Sequence, residues 1–172
     1  MISTKNQKPS YEIRPEDKFY NEEKDPSIEE DEEEIRKLQR RREQGKFVLN
    51  DFKFLSTLGT GTFGRVRLVK HRLDLKDGGE PLALKCLKKS EIIRLKQIEH
   101  VKSEKKILES INHPFIVNLK GTFQTQSHVF MLLDYACGGE LFTLLRREGR
   151  FSNDVALFFT TEIIMAFEYL HA

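Results

Sequence analysis

From Phe47 onward the chain runs through short apolar and polar stretches whose period changes several times, and each change marks an element. Phe52, Phe54 and Leu58, with polar residues between them, predict a half-buried strand. "RVRLVKH" (65–71) alternates again, with Val66, Leu68 and Lys70 on one face. "LKDGGE" (75–80) is a turn cluster, and "PLALKCL" (81–87) predicts a third strand. Ile98, Val101, Leu108 and Ile111 recur at helical spacing inside a long helix predicted from about Glu91 to Ser110. "PFIVNLKGTFQ" (114–124) and "SHVFMLLDY" (127–135) read as two more strands. "GGELFTLLRREG" (138–149) is a short helix closed by Gly149, after which Ser152 caps an apolar helix running to about His171. That last helix carries Val155, Phe158, Phe159, Ile163, Ile164, Phe167 and Leu170 around much of its circumference, so it predicts a large apolar surface that favours association. No internal repeat is visible.

The first 46 residues differ in kind. Residues 1–26 are polar, with scattered proline and charge, and are expected to be disordered because they cannot bury enough surface to offset chain entropy. "SIEEDEEEIRKLQRRREQG" (27–45) predicts a charged helix within a segment bounded at 27–46. Ser27 and Glu30 make a capping box, acids crowd the first turns and bases the last, and Gly45 stops the run. Glu32–Arg36 and Glu33–Lys37 are favourable i,i+4 pairs. Ile28, Ile35 and Leu38 offer only a thin apolar stripe, so the expectation is a solvated helix in preference to a packed one.

Charge excludes some partners. Residues 47–172 hold 18 Lys and Arg against 14 Asp and Glu, a net of +4, and no basic stripe with interleaved aromatics, so a nucleic-acid footprint is not expected. Cys86 and Cys137 lie far apart and suit reduced thiols. No apolar run reaches about 18 residues, no signal-peptide pattern opens the chain, and Met1-Ile2 lacks the glycine of a myristoylation signal. The expectation is a soluble, cytoplasmic or nuclear protein without a membrane partner.

Candidate chemistry centres on "LGTGTFGRV" (58–66). Glycine removes Cβ, so backbone N–H groups can approach phosphate oxygens. A dinucleotide fingerprint would open a helix, whereas a strand pattern follows here; a Walker loop would end in Gly-Lys-Ser/Thr, whereas here Gly64-Arg65-Val66 follows. A glycine loop joining two antiparallel strands fits, though a plain glycine-rich hairpin reads almost as well from this run alone. Lys85 sits mid-strand among Ala83, Leu84 and Cys86, and a charge buried there costs several kcal/mol unless paired. At 100° per residue Glu104 falls inside the apolar stripe of the long helix, between Val101 and Leu108, and supplies the partner.

Gly-rich hairpin, strand lysine and helix glutamate in this order, with "LKQIEHVKSEKKIL", "LDYACGGELF" and "RFSNDVALFFTTEIIMAFEYLH", resemble the protein kinase family, specifically the AGC group and its cAMP-dependent members, from about Asn50 to Ala172. The resemblance implies an α+β fold: a kinase small lobe over 47–133 (five-stranded antiparallel sheet plus one long helix), a hinge at 134–137, and the first helices of the large lobe over 138–172. It implies ATP and Mg as cofactors. Leu58, Val66 and Ala83 would sandwich the adenine; Gly59, Thr60, Gly61, Thr62, Phe63, Gly64 and Arg65 form the loop over the phosphates. Lys85 would hold the α- and β-phosphates, oriented by Glu104. Leu133 resembles the gatekeeper, Asp134 to Ala136 the hinge whose backbone meets the adenine edge, and Glu140 a contact to the ribose and to an arginine of a basic peptide substrate. His100 resembles the residue that meets a phosphorylated activation loop. The acidic first helix departs from the family pattern. A His/Tyr-Arg-Asp string followed by Asn, and an Asp-Phe-Gly after the sheet, do not occur in these 172 residues, so the catalytic base and the magnesium ligands would lie in the missing large lobe. The resemblance thus implies an ATP-dependent serine/threonine kinase, with a cAMP-binding regulatory subunit as a candidate partner and the chain by itself inactive. The alternative is a non-catalytic kinase lobe acting as a binding module. His71, His113, His128 and His171 show no metal-ligand spacing, and Cys137 reads as a small packing residue.

Overall fold

The computed structural model describes residues 32–75 and 78–172. The expectations for residues 1–26, for the capping box at Ser27 and for Lys76 and Asp77 of the turn cluster lie outside the described residues. Five strands form one antiparallel sheet: β1 (Phe52–Gly61), β2 (Gly64–His71), β3 (Leu82–Lys88), β4 (Leu119–Gln124) and β5 (His128–Asp134), in spatial order β1-β2-β3-β5-β4. Helices are α1 (Glu32–Glu43), α2 (Lys89–Arg94), α3 (Ile98–Ser110), α4 (Leu141–Glu148) and α5 (Asn153–His171). This is the predicted α+β arrangement. No helix among the described residues is long and apolar enough to cross a membrane.

Because side chains alternate along a strand, the sheet has two chemically different faces. One carries Phe52, Val69, Leu84, Cys86, Phe130 and Leu132, all buried, and Phe47 and Leu49 pack against them. Phe123 stacks on Phe130 at 4.7 Å, which extends this aromatic layer. Burial pushes the Cys86 thiol up to about 12, so it is an inert core group. The other face carries Leu87 and Met131, on which Ile92, Phe63, Val101 and Leu108 pack. Val66 and Leu68, which share one face of β2, are half-buried, whereas Val69 and His71 on the opposite face are buried.

Three expectations about the elements need correction. The helix predicted over about 91–110 is two helices. Lys96 takes a left-handed φ of 54°, the Gln97 N–H bonds the Ile92 carbonyl at 2.9 Å, and the Lys96 N–H bonds that of Ile93 at 3.0 Å. This is a Schellman ending, and a lysine holds the position glycine usually marks, so nothing in the composition signals it. The second correction concerns α1, which is packed, not solvated. Leu38 is 0% exposed. Arg41 binds the fully buried carboxylate of Asp51, Arg42 binds Asp74 at 2.6 Å, and Glu34 accepts from Arg72 at 2.9 Å. These partners lie 10 to 38 residues away, beyond the reach of any helical pattern. The strand predicted from Pro114 begins only at Leu119, because Asn118 closes the preceding loop on His113.

His71 is 2% exposed, lies edge-on to Phe52 with ring centroids at 5.5 Å, and accepts from the Leu73 N–H through Nδ1 at 3.3 Å. Its Nε2 has no hydrogen-bond partner among the described residues. Burial first, then the Arg42 charge, pushes its pKa below the usual histidine value. The folded state therefore binds this proton less readily than the unfolded chain, so stability is full well above pH 6.5 and falls as pH drops through the unfolded value of about 6.5. The urea midpoint should be lower at pH 5.5 than at pH 7.5, and the gap should narrow in His71→Gln. It should not vanish, because burial and Lys88 also depress the pKa of His128. An unchanged gap in the variant would assign the pH dependence elsewhere.

Candidate functional site

β1 and β2 meet in a tight hairpin: Gly61 pairs with Gly64 across the two-residue turn Thr62-Phe63. The three glycines are not equivalent. A Cβ on Gly64 would stand 1.9 Å from the Cys86 carbonyl oxygen, so β3 itself demands glycine there. A Cβ on Gly59 or Gly61 would meet nothing within 4 Å, so no packing in this chain explains either residue. Phe63 is pinned beneath the hairpin against Leu87 and Met131, and its carbonyl accepts from the Lys88 N–H at 2.8 Å.

The register puts Val66 opposite Lys85, Leu68 opposite Ala83, and Ala83 opposite Leu133. Val66, Ala83, Lys85 and Leu133 therefore share the sheet face below the hairpin. Leu58 sits in a β-bulge between Thr57 and Gly59 and is 39% exposed, as befits a residue re-aimed out of the pleat. Arg65 and Thr60 are opposite one another, and Arg65 is opposite Cys86, so both side chains take the other face and only their backbone belongs to the loop.

Lys85 Nζ donates to Glu104 Oε1 at 2.5 Å. Val101 and Leu108 anchor α3 to the sheet, and Glu104 lies between them on the same face, which aims it at β3. The side chains are 27% and 41% exposed, so Lys85 is not the buried charge its strand suggested; it borders an open cleft. A pair this open contributes about 0–1 kcal/mol to stability. An ammonium has three donors and Glu104 takes one. The arrangement can therefore hold an anion between Lys85 and the hairpin backbone.

The lower rim is less built. After Asp134 the chain leaves the sheet through Tyr135, Ala136 and exposed Cys137, then turns at Gly138 (φ 98°) and Gly139 (φ 84°). Glu140 is the N-cap of α4; its carbonyl accepts from the Leu144 N–H at 3.1 Å, while its exposed side chain makes no cap. His100 is exposed, with Nδ1 2.5 Å from Gln97 Oε1. A separate apolar groove of about 500 Å³ lies behind α3, lined by Ile92, Ile93, Ile98, Val101, Phe123 and Val129; it does not include Lys85 or Glu104.

The protein kinase domain family matches residues 52–172. The chain belongs to the protein kinase family. This kinase chain is 50% identical over 135 residues to a Saccharomyces cerevisiae protein named cAMP-dependent protein kinase type 3, covering 78% of this chain and 33% of that relative. It is 45% identical over 129 residues to the cAMP-dependent protein kinase catalytic subunit of Arthrobotrys oligospora, covering 75% of this chain and 24% of the relative. Catalytic subunit 3 of Drosophila melanogaster is 47% identical over 127 residues, covering 74% and 21%. The kinase chain thus spans a third or less of the length of the curated relatives it matches.

Sequence reasoning missed the polar support around Asp134, at the end of β5. Asp134 accepts from Lys120 at 2.8 Å and from the Asn118 N–H and Nδ2 at 3.1 and 3.0 Å. Partial burial pushes its carboxyl up, but the hydrogen bonds from Lys120 and Asn118, with the Lys120 charge, outweigh it and hold the pKa below the usual aspartate value. A β-bulge between Leu119 and Gly121 brings these groups together, and no local pattern announces it.

Proposed function

We propose that this chain is the ATP-binding half of a serine/threonine kinase of the cAMP-dependent type, which transfers the ATP γ-phosphoryl group to protein hydroxyls. The observation that carries the reading is the Lys85–Glu104 pair facing a hairpin whose Gly59 and Gly61 have no packing reason to be glycine. In this reading the hairpin from Gly59 to Gly64, with the backbone of Arg65, covers the phosphates. Lys85 neutralises the α- and β-phosphate oxygens while Glu104 fixes its ammonium. Leu58, Val66 and Ala83 enclose the adenine, Leu133 limits the depth of its pocket, and the backbone of Asp134 to Ala136 binds its edge. Glu140 contacts the ribose and an arginine of a basic peptide substrate. Magnesium, when bound, would supply positive charge that offsets that of the phosphates; no cluster of three His, Cys, Asp or Glu suited to a metal occurs among the described residues. The names of the relatives support a cAMP-binding regulatory subunit as partner.

Two outcomes follow. ATP should protect Lys85 from a lysine acylating reagent while Lys53 and Lys70, elsewhere on the sheet, react as before; equal labelling of Lys85 with and without saturating ATP would overturn the assignment. The 172-residue chain, given ATP, magnesium and a basic peptide, should yield no phosphopeptide above background. Magnesium-dependent turnover by the purified chain would show that the missing catalytic strings are dispensable.

A further inference from the structure

Asn118 joins Asp134, at the end of β5, to the loop that leads from α3 into β4. Its Nδ2 donates to the Asp134 carboxylate at 3.0 Å and to the His113 carbonyl at 3.2 Å, while its Oδ1 accepts from the His113 N–H at 3.0 Å. Its backbone is engaged as well: the Asn118 N–H donates to Asp134 Oδ2 at 3.1 Å, and its carbonyl accepts from the Asp134 N–H at 3.1 Å. One asparagine therefore grips the first hinge residue by side chain and main chain together. From His113 the chain of contacts continues. The imidazole lies 5.0 Å from the Tyr169 ring of α5, and the Tyr169 hydroxyl accepts from the Asn112 N–H at 2.9 Å and donates to the Ser110 carbonyl at 3.3 Å. Ser110 is the last residue of α3, the helix that carries Glu104.

The geometry points to Asn118 as a positioning residue that couples occupancy of the hinge to the C-terminal end of α3. The inference rests on the reading of Asp134 to Ala136 as the adenine edge. A ligand that bonds the hinge backbone orders Asp134, and Asp134 reaches the loop 112–118 directly through Asn118, while its other partner, Lys120, is half exposed and lies on the sheet. Hydrogen bonds to a charged acceptor are the stronger kind, and a network whose members are all satisfied moves as a unit. Coupling of this sort is reciprocal: whatever adenine binding does to the loop, loosening the loop does to adenine binding.

Asn118→Ala and Leu38→Ala, the latter a core control on α1 far from the hinge, can be compared in the 172-residue chain. The first readout needs no nucleotide. Amide exchange at Asn112 and His113 should speed up in Asn118→Ala and in Asp134→Ala, with a less than additive change in the double variant, which also loses the bond from the Asn118 N–H to Asp134, and should stay as in the parent chain in Leu38→Ala. The second is the affinity of the folded fraction for adenosine, which has no phosphates and so reads the hinge alone. It should fall about tenfold in Asn118→Ala, within the usual range of coupling between sites, and stay unchanged in Leu38→Ala despite its lower urea midpoint. Additive exchange effects in the double variant would break the tether and overturn the inference even if adenosine binds normally. Unchanged adenosine affinity in Asn118→Ala would reduce Asn118 to a structural residue. Absence of adenosine binding by the parent chain would overturn the hinge reading, and with it the coupling, whatever the exchange data show.

Discussion

Lys85→Met should abolish the preference of this chain for ATP over adenosine and leave its fold standing. Methionine keeps most of the aliphatic stem on the sheet and removes only the ammonium. The pair with Glu104 is part-exposed on both sides, so its loss should cost about 1 kcal/mol or less, read as a small fall in the urea midpoint. Hydrogen bonds to charged groups are worth about 1.5–3 kcal/mol, so ATP affinity should fall by one to two orders of magnitude. Adenosine affinity, measured by the same calorimetric titration, should hardly move. If Lys85→Met instead unfolds the chain while ATP and adenosine bind alike in the parent, the pair is structural and the phosphate assignment is wrong.

The second large effect separates the three glycines. Gly64→Ala forces a methyl group into the Cys86 carbonyl, and since that neighbour is backbone, the hairpin and β3 must part. A stability loss of about 3 kcal/mol is expected, in the range of overpacked cores. Gly59→Ala and Gly61→Ala add a methyl group to open space and should change stability by about 0.5 kcal/mol or less while weakening ATP binding. Urea unfolding of the three variants, followed by ATP titration of those that fold, checks both halves. Three similar unfolding midpoints would contradict the distinction.

That contrast also shows what the sequence could and could not reveal. A glycine run followed by a strand is legible because backbone freedom and side-chain period are local properties, and so are the mid-strand lysine and the glutamate on an apolar helix face. Which glycine the fold itself requires is not local, since it depends on how closely β3 approaches the hairpin. The packed state of α1 was hidden for the same reason. Its stripe is thin, and its anchors, Asp51, Asp74 and Arg72, are brought to it by strands and turns far along the chain. The break between α2 and α3 was hidden because Lys96 adopts a conformation that its side chain does not advertise. The bridge from Asp134 through Asn118 to His113 depends on a bulge in β4, and a bulge shifts register without leaving a periodic trace.

The central claim is that Gly59, Gly61, Lys85 and the Asp134–Ala136 backbone form one ATP cleft, and a map of backbone amide shifts tests it most directly. Titrating the labelled 172-residue chain with ATP should move the amides of Gly59, Gly61, Thr62, Lys85 and Ala136 together along one binding curve, and leave those of α1 and of the groove behind α3 in place. Shifts confined to that groove or to α1, or glycine and hinge amides that stay fixed at saturating ATP, would contradict the account.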